Sequence, residues 1–188
     1  MATKAGCNSV YFKCENFQKV GAFKTRGAAN KLLKLDPSIK TVCTHSSGNH
    51  AQALAYMSKK LGLKAYIVMP QNSPKIKFEA TKGYGATVVE SGNTKNERME
   101  KCEEVSKQYN AIEVPSSNDY DVIEGQATVA KEVFEDSPVK FDYIVFPIGG
   151  GGLGSGTLLS TKYFGDGCKT IGVEPYLARD AYVSIQKR

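Results

Sequence analysis

Tyr143-Ile144-Val145-Phe146-Pro147-Ile148-Gly149-Gly150-Gly151-Gly152-Leu153-Gly154 is the stretch on which the fold turns. Its first half is a short, strongly apolar, β-branched run closed by glycines, which reads as a strand rather than a helix. Ser155–Phe164 follows with a helical pattern, and Thr170–Glu174 is a second short apolar run. Strands this apolar, each linked by a helix, belong to parallel sheets covered on both faces.

The same alternation extends towards the amino end. Val10–Cys14 reads as a strand and Arg26–Leu35 as a helix; Thr41–Thr44 is a strand, and Asn49–Leu61 a helix with Ala53, Leu54, Met57 and Leu61 on one face. Ala65–Met69 is a strand closed by Pro70, and Ser73-Pro74 has the form of an N-cap followed by proline in the first turn. Ala86–Glu90 and Ala111–Val114 are strands on either side of a charged helix, Lys95–Tyr109, and Ile123–Phe134 is a further helix. The class is α/β, with open, twisted, mainly parallel sheets flanked by helices. Four strands within 41–118 complete one lobe; Val10–Cys14, Tyr143–Ile148 and Thr170–Glu174 fall to a second lobe made of 1–40 and 119–188.

Bulk properties narrow the function. Of the 188 residues, 41% are hydrophobic and 23% charged, an ordinary balance for a globular protein. No apolar run is long enough to span a bilayer, and Met1-Ala2-Thr3-Lys4-Ala5-Gly6 lacks the apolar core of a secretory signal, so the expected location is the cytoplasm. Cys7, Cys14, Cys43, Cys102 and Cys168 form no C-x-x-C pair and are odd in number, which fits reduced thiols. The net charge of +6 raises the question of nucleic acid, but the lysines alternate with acids, as in Lys95–Lys107, and no basic block carries interleaved aromatics. Neither a nucleic acid nor a membrane is an expected partner.

In parallel α/β folds ligands sit at the carboxyl ends of strands. Three loops fall there: Gly21–Arg26, Ser46–His50 and Gly149–Gly156. The glycine run lets backbone N–H groups and a helix N-terminus approach an anion, and phosphate is the natural guest. The same residues satisfy a dinucleotide fingerprint, Gly149-x-Gly151-x-x-Gly154 with Glu174 ending the next strand, so a nucleotide-binding domain competes; simple tight turning is the third reading. Lys24 lies among small residues and Phe23, where desolvation would favour a neutral nucleophilic amine, although most lysines are merely solvated. Ser46-Ser47-Gly48-Asn49-His50 offers hydroxyls, an amide and free N–H groups suited to a carboxylate, or alternatively a simple N-cap. Only two histidines exist and no Gly-x-Ser-x-Gly elbow, which weighs against a serine hydrolase.

Taken together, Phe23-Lys24-Thr25-Arg26-Gly27-Ala28, His45-Ser46-Ser47-Gly48-Asn49-His50-Ala51-Gln52-Ala53-Leu54 and Gly149–Gly152 resemble the serine racemase and serine/threonine dehydratase family. That family has the tryptophan-synthase-β fold, fold type II of the pyridoxal-phosphate enzymes. The resemblance runs from about Val10 to Arg188, and it displaces the nucleotide reading, which explains neither Lys24 nor the Ser46–His50 loop. It implies that Lys24 holds pyridoxal 5'-phosphate as a Schiff base and moves the substrate's α-proton. It also implies that Phe23 packs beside the ring, that Asn49 bonds the ring's 3-oxygen, and that Gly149, Gly150, Gly151 and Gly152 cradle the phosphate. Ser46, Ser47, Asn49 and His50 would hold the substrate carboxylate.

Ser47 resembles the second base of the racemases, opposite the lysine, where many threonine dehydratases carry alanine, although a serine at this place also occurs in eukaryotic-type serine dehydratases. Two bases allow inversion at Cα, and one suffices for β-elimination to a keto acid and ammonia. The implied activity is serine racemisation with elimination beside it, on a homodimer. By the same resemblance Glu174, Ala178 and Asp180 would bind a divalent cation, and oxygen ligands suit Mg²⁺ or Ca²⁺; surface acids at a helix start would look the same. Relatives continue beyond the point where this sequence stops, so the large lobe is expected to be incomplete. A non-catalytic or truncated form is the alternative.

Overall fold

The computed structural model describes residues 2–187. After a single turn, α1 (Ala2–Ala5), the chain runs irregularly through residues 6–14 and two short 3₁₀ turns into α2 (Lys24–Leu33). Val10–Cys14, expected as a strand, forms none: Tyr11 and Phe12 are exposed and no neighbouring strand lies alongside. Tyr11 instead packs edge-on against the distant Phe141, with ring centroids 5.5 Å apart.

Next come β1 (Thr41–His45), α3 (Asn49–Lys60), β2 (Lys64–Pro70), α4 (Lys75–Gly83), β3 (Thr87–Ser91), α5 (Lys95–Tyr109) and β4 (Ile112–Glu113). They build one parallel sheet in the order β3-β2-β1-β4. Side chains on β1 alternate between its two faces. Val42 joins Leu54, Ile67, Met69 and Val122 on the α3 side, and Cys43 joins Val68, Cys102 and Val105 on the α5 side. α5 starts with a capping box, in which Thr94 accepts from the Glu97 N–H and Glu97 accepts from the Thr94 N–H. It ends on Asn110 in the left-handed region. α4 departs from its expected start: Pro74, extended at ψ 133°, is itself the N-cap, with no side-chain cap from Ser73.

The remainder comprises α6 (Tyr120–Asp136), β5 (Tyr143–Pro147), α7 (Gly152–Phe164), β6 (Lys169–Val173) and α8 (Asp180–Gln186). β5 and β6 pair in parallel as a separate two-stranded sheet. Val145 and Ile171, on strands that read from sequence as buried, are exposed here.

α6 links the two halves because glycines let it approach its neighbours at backbone distance. A Cβ on Gly125 would lie 2.5 Å from the Arg26 carbonyl oxygen and the Gly27 Cα in α2. One on Gly156 of α7 would lie 2.6 Å from the Ala127 nitrogen of α6. The Gln126 side chain seals the first crossing by accepting from the Gly27 N–H at 3.2 Å.

Candidate functional site

Lys24 is the first residue of α2, and Phe23 occupies the N-cap position before it. The helix start is fixed by its neighbours. Thr25 donates from Oγ1 to the Lys19 carbonyl at 2.8 Å. The Arg26 guanidinium, mostly buried, forks onto Glu15 at 2.8 and 2.9 Å and onto Glu132 of α6 at 2.6 and 2.7 Å. This bidentate geometry holds the Glu132 carboxyl down at about 2, well below the usual carboxylate range. With α2 pinned, Lys24 Nζ donates to the Ser116 carbonyl at 2.5 Å and sits 5.3 Å from the Phe23 ring centroid. Burial lowers the pKa of the amine, the direction a nucleophilic lysine requires.

The glycine loop lies one residue further along the same segment. A Cβ on Gly150 would meet Ser117 Oγ at 2.6 Å, and one on Gly152 would meet Ser117 Cα at 3.1 Å. Gly149 and Gly151, in contrast, face open space within 4 Å, and Gly151 needs its glycine because its φ is +89°. No side chain caps α7, so the N–H groups of its first turn remain oriented towards an external acceptor.

His50, in the first turn of α3, completes the arrangement. Its Nε2 lies 2.9 Å from the Val114 carbonyl, the ring is fully buried, and Nδ1 has no partner. Burial pushes its pKa down to about 4, reinforced by the charge of Lys24 and only partly opposed by the Val114 carbonyl. The His50 ring is therefore a strut between α3 and the segment after β4. Ser46 donates its backbone N–H to Val68, and its Oγ accepts from the Gly48 N–H at 3.3 Å. The N-cap of α3 is Gly48, without a side-chain cap, so neither Ser46 nor Ser47 caps the helix. Asn49 is exposed at the helix start and Ser47 is half-buried.

Val114-Pro115-Ser116-Ser117 thus touches, in order, His50 of the α3 loop, the Lys24 amine and the glycine loop. Sequence reading missed Ser116 and Ser117, which carry no motif. Their one signal is position: they follow the fourth strand at its carboxyl end, as Ser46–His50 follows β1 and Gly149–Gly152 follows β5; Gly21–Arg26, expected at such an end, follows no strand.

Glu174, Ala178 and Asp180 form a different feature. Both Glu174 oxygens accept backbone N–H groups at the start of α8, from Ala181 at 3.1 Å and Tyr182 at 3.0 Å. No group of three or more His, Cys, Asp or Glu positioned for a metal occurs among the described residues.

The neutral, buried His50 has a measurable consequence. Its folded pKa lies below the ordinary 6.5, so the unfolded chain takes up the proton first as pH falls. Stability is expected to be intact above 6.5 and lost progressively down to about 4, by up to ~1.4 kcal/mol per pH unit. Urea titrations of the wild type against His50→Gln check this, with a difference in pH slope confined to that window.

A lysine with a lowered pKa, a glycine-rich loop and two uncapped helix starts meet about one segment, an arrangement chemically suited to an anionic carbonyl compound. The chain belongs to the pyridoxal-phosphate-dependent enzyme family, whose profile matches residues 1–188. It is 44% identical over 181 residues to serine racemase of Schizosaccharomyces pombe, covering 95% of this chain and 55% of that protein. It is 42% identical over 179 residues to L-threo-3-hydroxyaspartate ammonia-lyase of Saccharomyces cerevisiae, covering 94% and 55%. The crystal structure of serine racemase from Dictyostelium discoideum superposes with a TM-score of 0.89 at 41% identity, over 94% of this chain and 58% of that one. The chain spans about half the length of the curated relatives it matches. No helix among the described residues is long and apolar enough to cross a membrane.

Proposed function

We propose that this chain carries the cofactor- and substrate-binding half of a serine racemase that also eliminates water from serine or threonine, giving a keto acid and ammonia. The observation that carries the reading is the contact of Val114–Ser117 with Lys24, His50 and the glycine loop at once. The residues fit pyridoxal phosphate: open space over Gly149 and Gly151 beside an uncapped helix start suits its phosphate, and a desolvated amine suits its aldehyde. When bound, the cofactor supplies an electron sink for negative charge at the substrate's Cα.

The chain's own groups supply placement and proton movement. Lys24 would attach the cofactor and take the α-proton on one face, with Phe23 packed beside the ring. The N–H groups of Gly149–Gly152 hold the phosphate, and Ser117 supports that loop from below. Asn49, exposed at the start of α3, would bond the ring oxygen. Ser46, Ser47 and the backbone of Asn49 and His50 receive the substrate carboxylate at an uncapped helix terminus. The His50 ring is already bonded to Val114, so its part is to hold this loop against the Lys24 segment rather than to donate to the substrate. The two sheets, within 41–113 and 143–173, support a division into a small lobe at 41–118 and a large lobe at 1–40 and 119–188.

Ser47 is proposed as the base on the second face, and its removal separates the two reactions. In the catalytically complete protein, Ser47→Ala is expected to lower serine racemisation by about 10²–10⁴-fold while elimination falls far less. Chiral chromatography of serine alongside keto-acid release reads both. Equal loss of the two activities would remove Ser47 from that role.

We also propose a divalent cation at Glu174, Asp180 and the Ala178 carbonyl. Glu174 already folds over the first turn of the helix that begins at Asp180, and all three donors are oxygens, as Mg²⁺ or Ca²⁺ prefers. Millimolar Mg²⁺ is expected to raise the melting temperature of the wild type and not of Glu174→Gln. An unchanged wild-type melting temperature contradicts the site.

A further inference from the structure

We propose that Cys43 and Cys102 are a modification site, a buried thiol pair that closes to a reversible intramolecular disulfide on reaction with a hydroperoxide. Cys43 lies in β1 and Cys102 in α5, 59 residues apart in sequence, with Cys102 Sγ donating to Cys43 Sγ at 3.9 Å. Both are fully buried, among the small residues Val68, Val105 and Ala111. No other side chain stands between the sulfurs, and a disulfide of about 2.05 Å needs them to close by about 2 Å.

The element that must move is α5. α5 spans 15 residues, yet only Cys102 and Val105 of it are buried, and the remainder of the helix is strongly polar. Its apolar attachment to the sheet rests on that patch and on Tyr109, stacked on Tyr66 of β2 with ring centroids 4.0 Å apart, so the opening required is local to Cys102 while the rest of the domain stays folded. Such opening admits a small peroxide and allows the approach of the sulfurs.

The hydrogen bond also assigns an order to the chemistry. Donation from Cys102 lowers the pKa of the Cys43 thiol, and the same contact together with burial raises that of Cys102. Cys43 is therefore the first nucleophile. Its sulfur attacks one peroxide oxygen, the O–O bond breaks, and the products are a Cys43 sulfenic acid and an alcohol, or water when the oxidant is hydrogen peroxide. The Cys102 sulfur then attacks the Cys43 sulfur; the S–O bond breaks and the oxygen leaves as water with the Cys102 proton. Two thiols and one hydroperoxide thus give one disulfide, one alcohol and one water, and two equivalents of an external thiol reverse the change.

The bond would form beneath the candidate site. Cys43 accepts the Val114 N–H through its carbonyl at 2.8 Å, and Val114 is the residue whose own carbonyl receives His50. β1 itself runs directly into the Ser46–His50 loop. Oxidation would staple this polar helix covalently to the strand pair that supports both.

The test is non-reducing peptide mapping of the folded chain after hydrogen peroxide treatment, quenching and alkylation in denaturant. The expected result is a peptide pair linked through Cys43 and Cys102, two hydrogens lighter than the thiols and separated by dithiothreitol. The melting temperature should rise by about 5–10 °C, and Cys102→Ala should show no rise. Amide exchange across 95–109 should slow in the oxidised wild type, a readout that needs no variant to fold. Recovery of Cys43 and Cys102 as fully alkylated thiols, in protein whose exposed Cys14 has been oxidised, would overturn the proposal. So would linkage that appears only when urea is present during oxidation.

Discussion

Lys24→Ala is expected to abolish the visible absorbance that the wild type gains with pyridoxal phosphate, and to lower turnover of serine in the catalytically complete protein by at least about 10²–10⁴-fold. The size of the effect follows from what the amine does. It is the attachment point, and its burial and its hold on the Ser116 carbonyl keep it beside the glycine loop. No other lysine among the described residues shares that setting: Lys31 and Lys34 of the same helix are tied to Asp121 and carry raised pKa values from their carboxylate partners. Lys24→Arg is expected to fail equally, since a guanidinium stays protonated and does not condense with an aldehyde. An absorbance spectrum and a keto-acid assay on each variant check the result, and retention of the band in Lys24→Ala would assign attachment to another residue.

Gly125→Ala is expected to have the largest structural effect of any single methyl addition near the site. The added carbon would sit 2.5 Å from two backbone atoms of α2 and 2.8 Å from a third, and backbone cannot swing aside as a side-chain tip can. Relief requires α2 and α6 to separate. That costs about 1–3 kcal/mol or more by overpacking, and a fall in melting temperature of roughly 3–10 °C. α2 begins at Lys24, and the Arg26 clamp to Glu132 spans the same crossing, so the amine would shift with it. Cofactor affinity should therefore fall even in the molecules that fold. Gly83→Ala is the control: it meets nothing within 4 Å, lies in a helix without a positive φ, and should be neutral or stabilising by up to about 1 kcal/mol. Urea midpoints and cofactor titrations on both variants test the contrast.

Much of the architecture was legible because the sequence alternates so regularly. Lys95–Tyr109 is a helix at the expected bounds, since Thr94 and Glu97 form a capping box and Asn110 stops it. Thr41, Lys64, Thr87 and Ile112 begin strands within a residue or so of the apolar runs that marked them. Val10–Cys14 misled because β-branched and aromatic residues mark a pleated surface only when a neighbouring strand provides one, and none lies there. The exposure of Val145 and Ile171 accords with the expectation of an incomplete large lobe, because burial depends on what covers a sheet and not on the strand itself.

The site divides in the same way. Lys24, Ser46–His50 and Gly149–Gly152 stand out as unusual residue groupings; the latter two follow β1 and β5, whereas the strand expected before Lys24 does not form. Ser116 and Ser117 do not stand out, since a serine acting through its carbonyl or its Cα leaves no trace in residue type. The His50 ring was legible as a polar group near the site, but its actual partner, the Val114 carbonyl, exists only once β4 lies beside β1.

The most direct measurement is borohydride reduction of the protein loaded with pyridoxal phosphate, followed by mass mapping of the proteolytic peptides. A pyridoxyl group recovered on Lys24 alone, at about one per chain and lost when Gly151→Val disrupts the cradle, is the expected result. Label scattered over surface lysines, or absent from Lys24, would mean that the amine and the glycine loop do not hold one ligand between them.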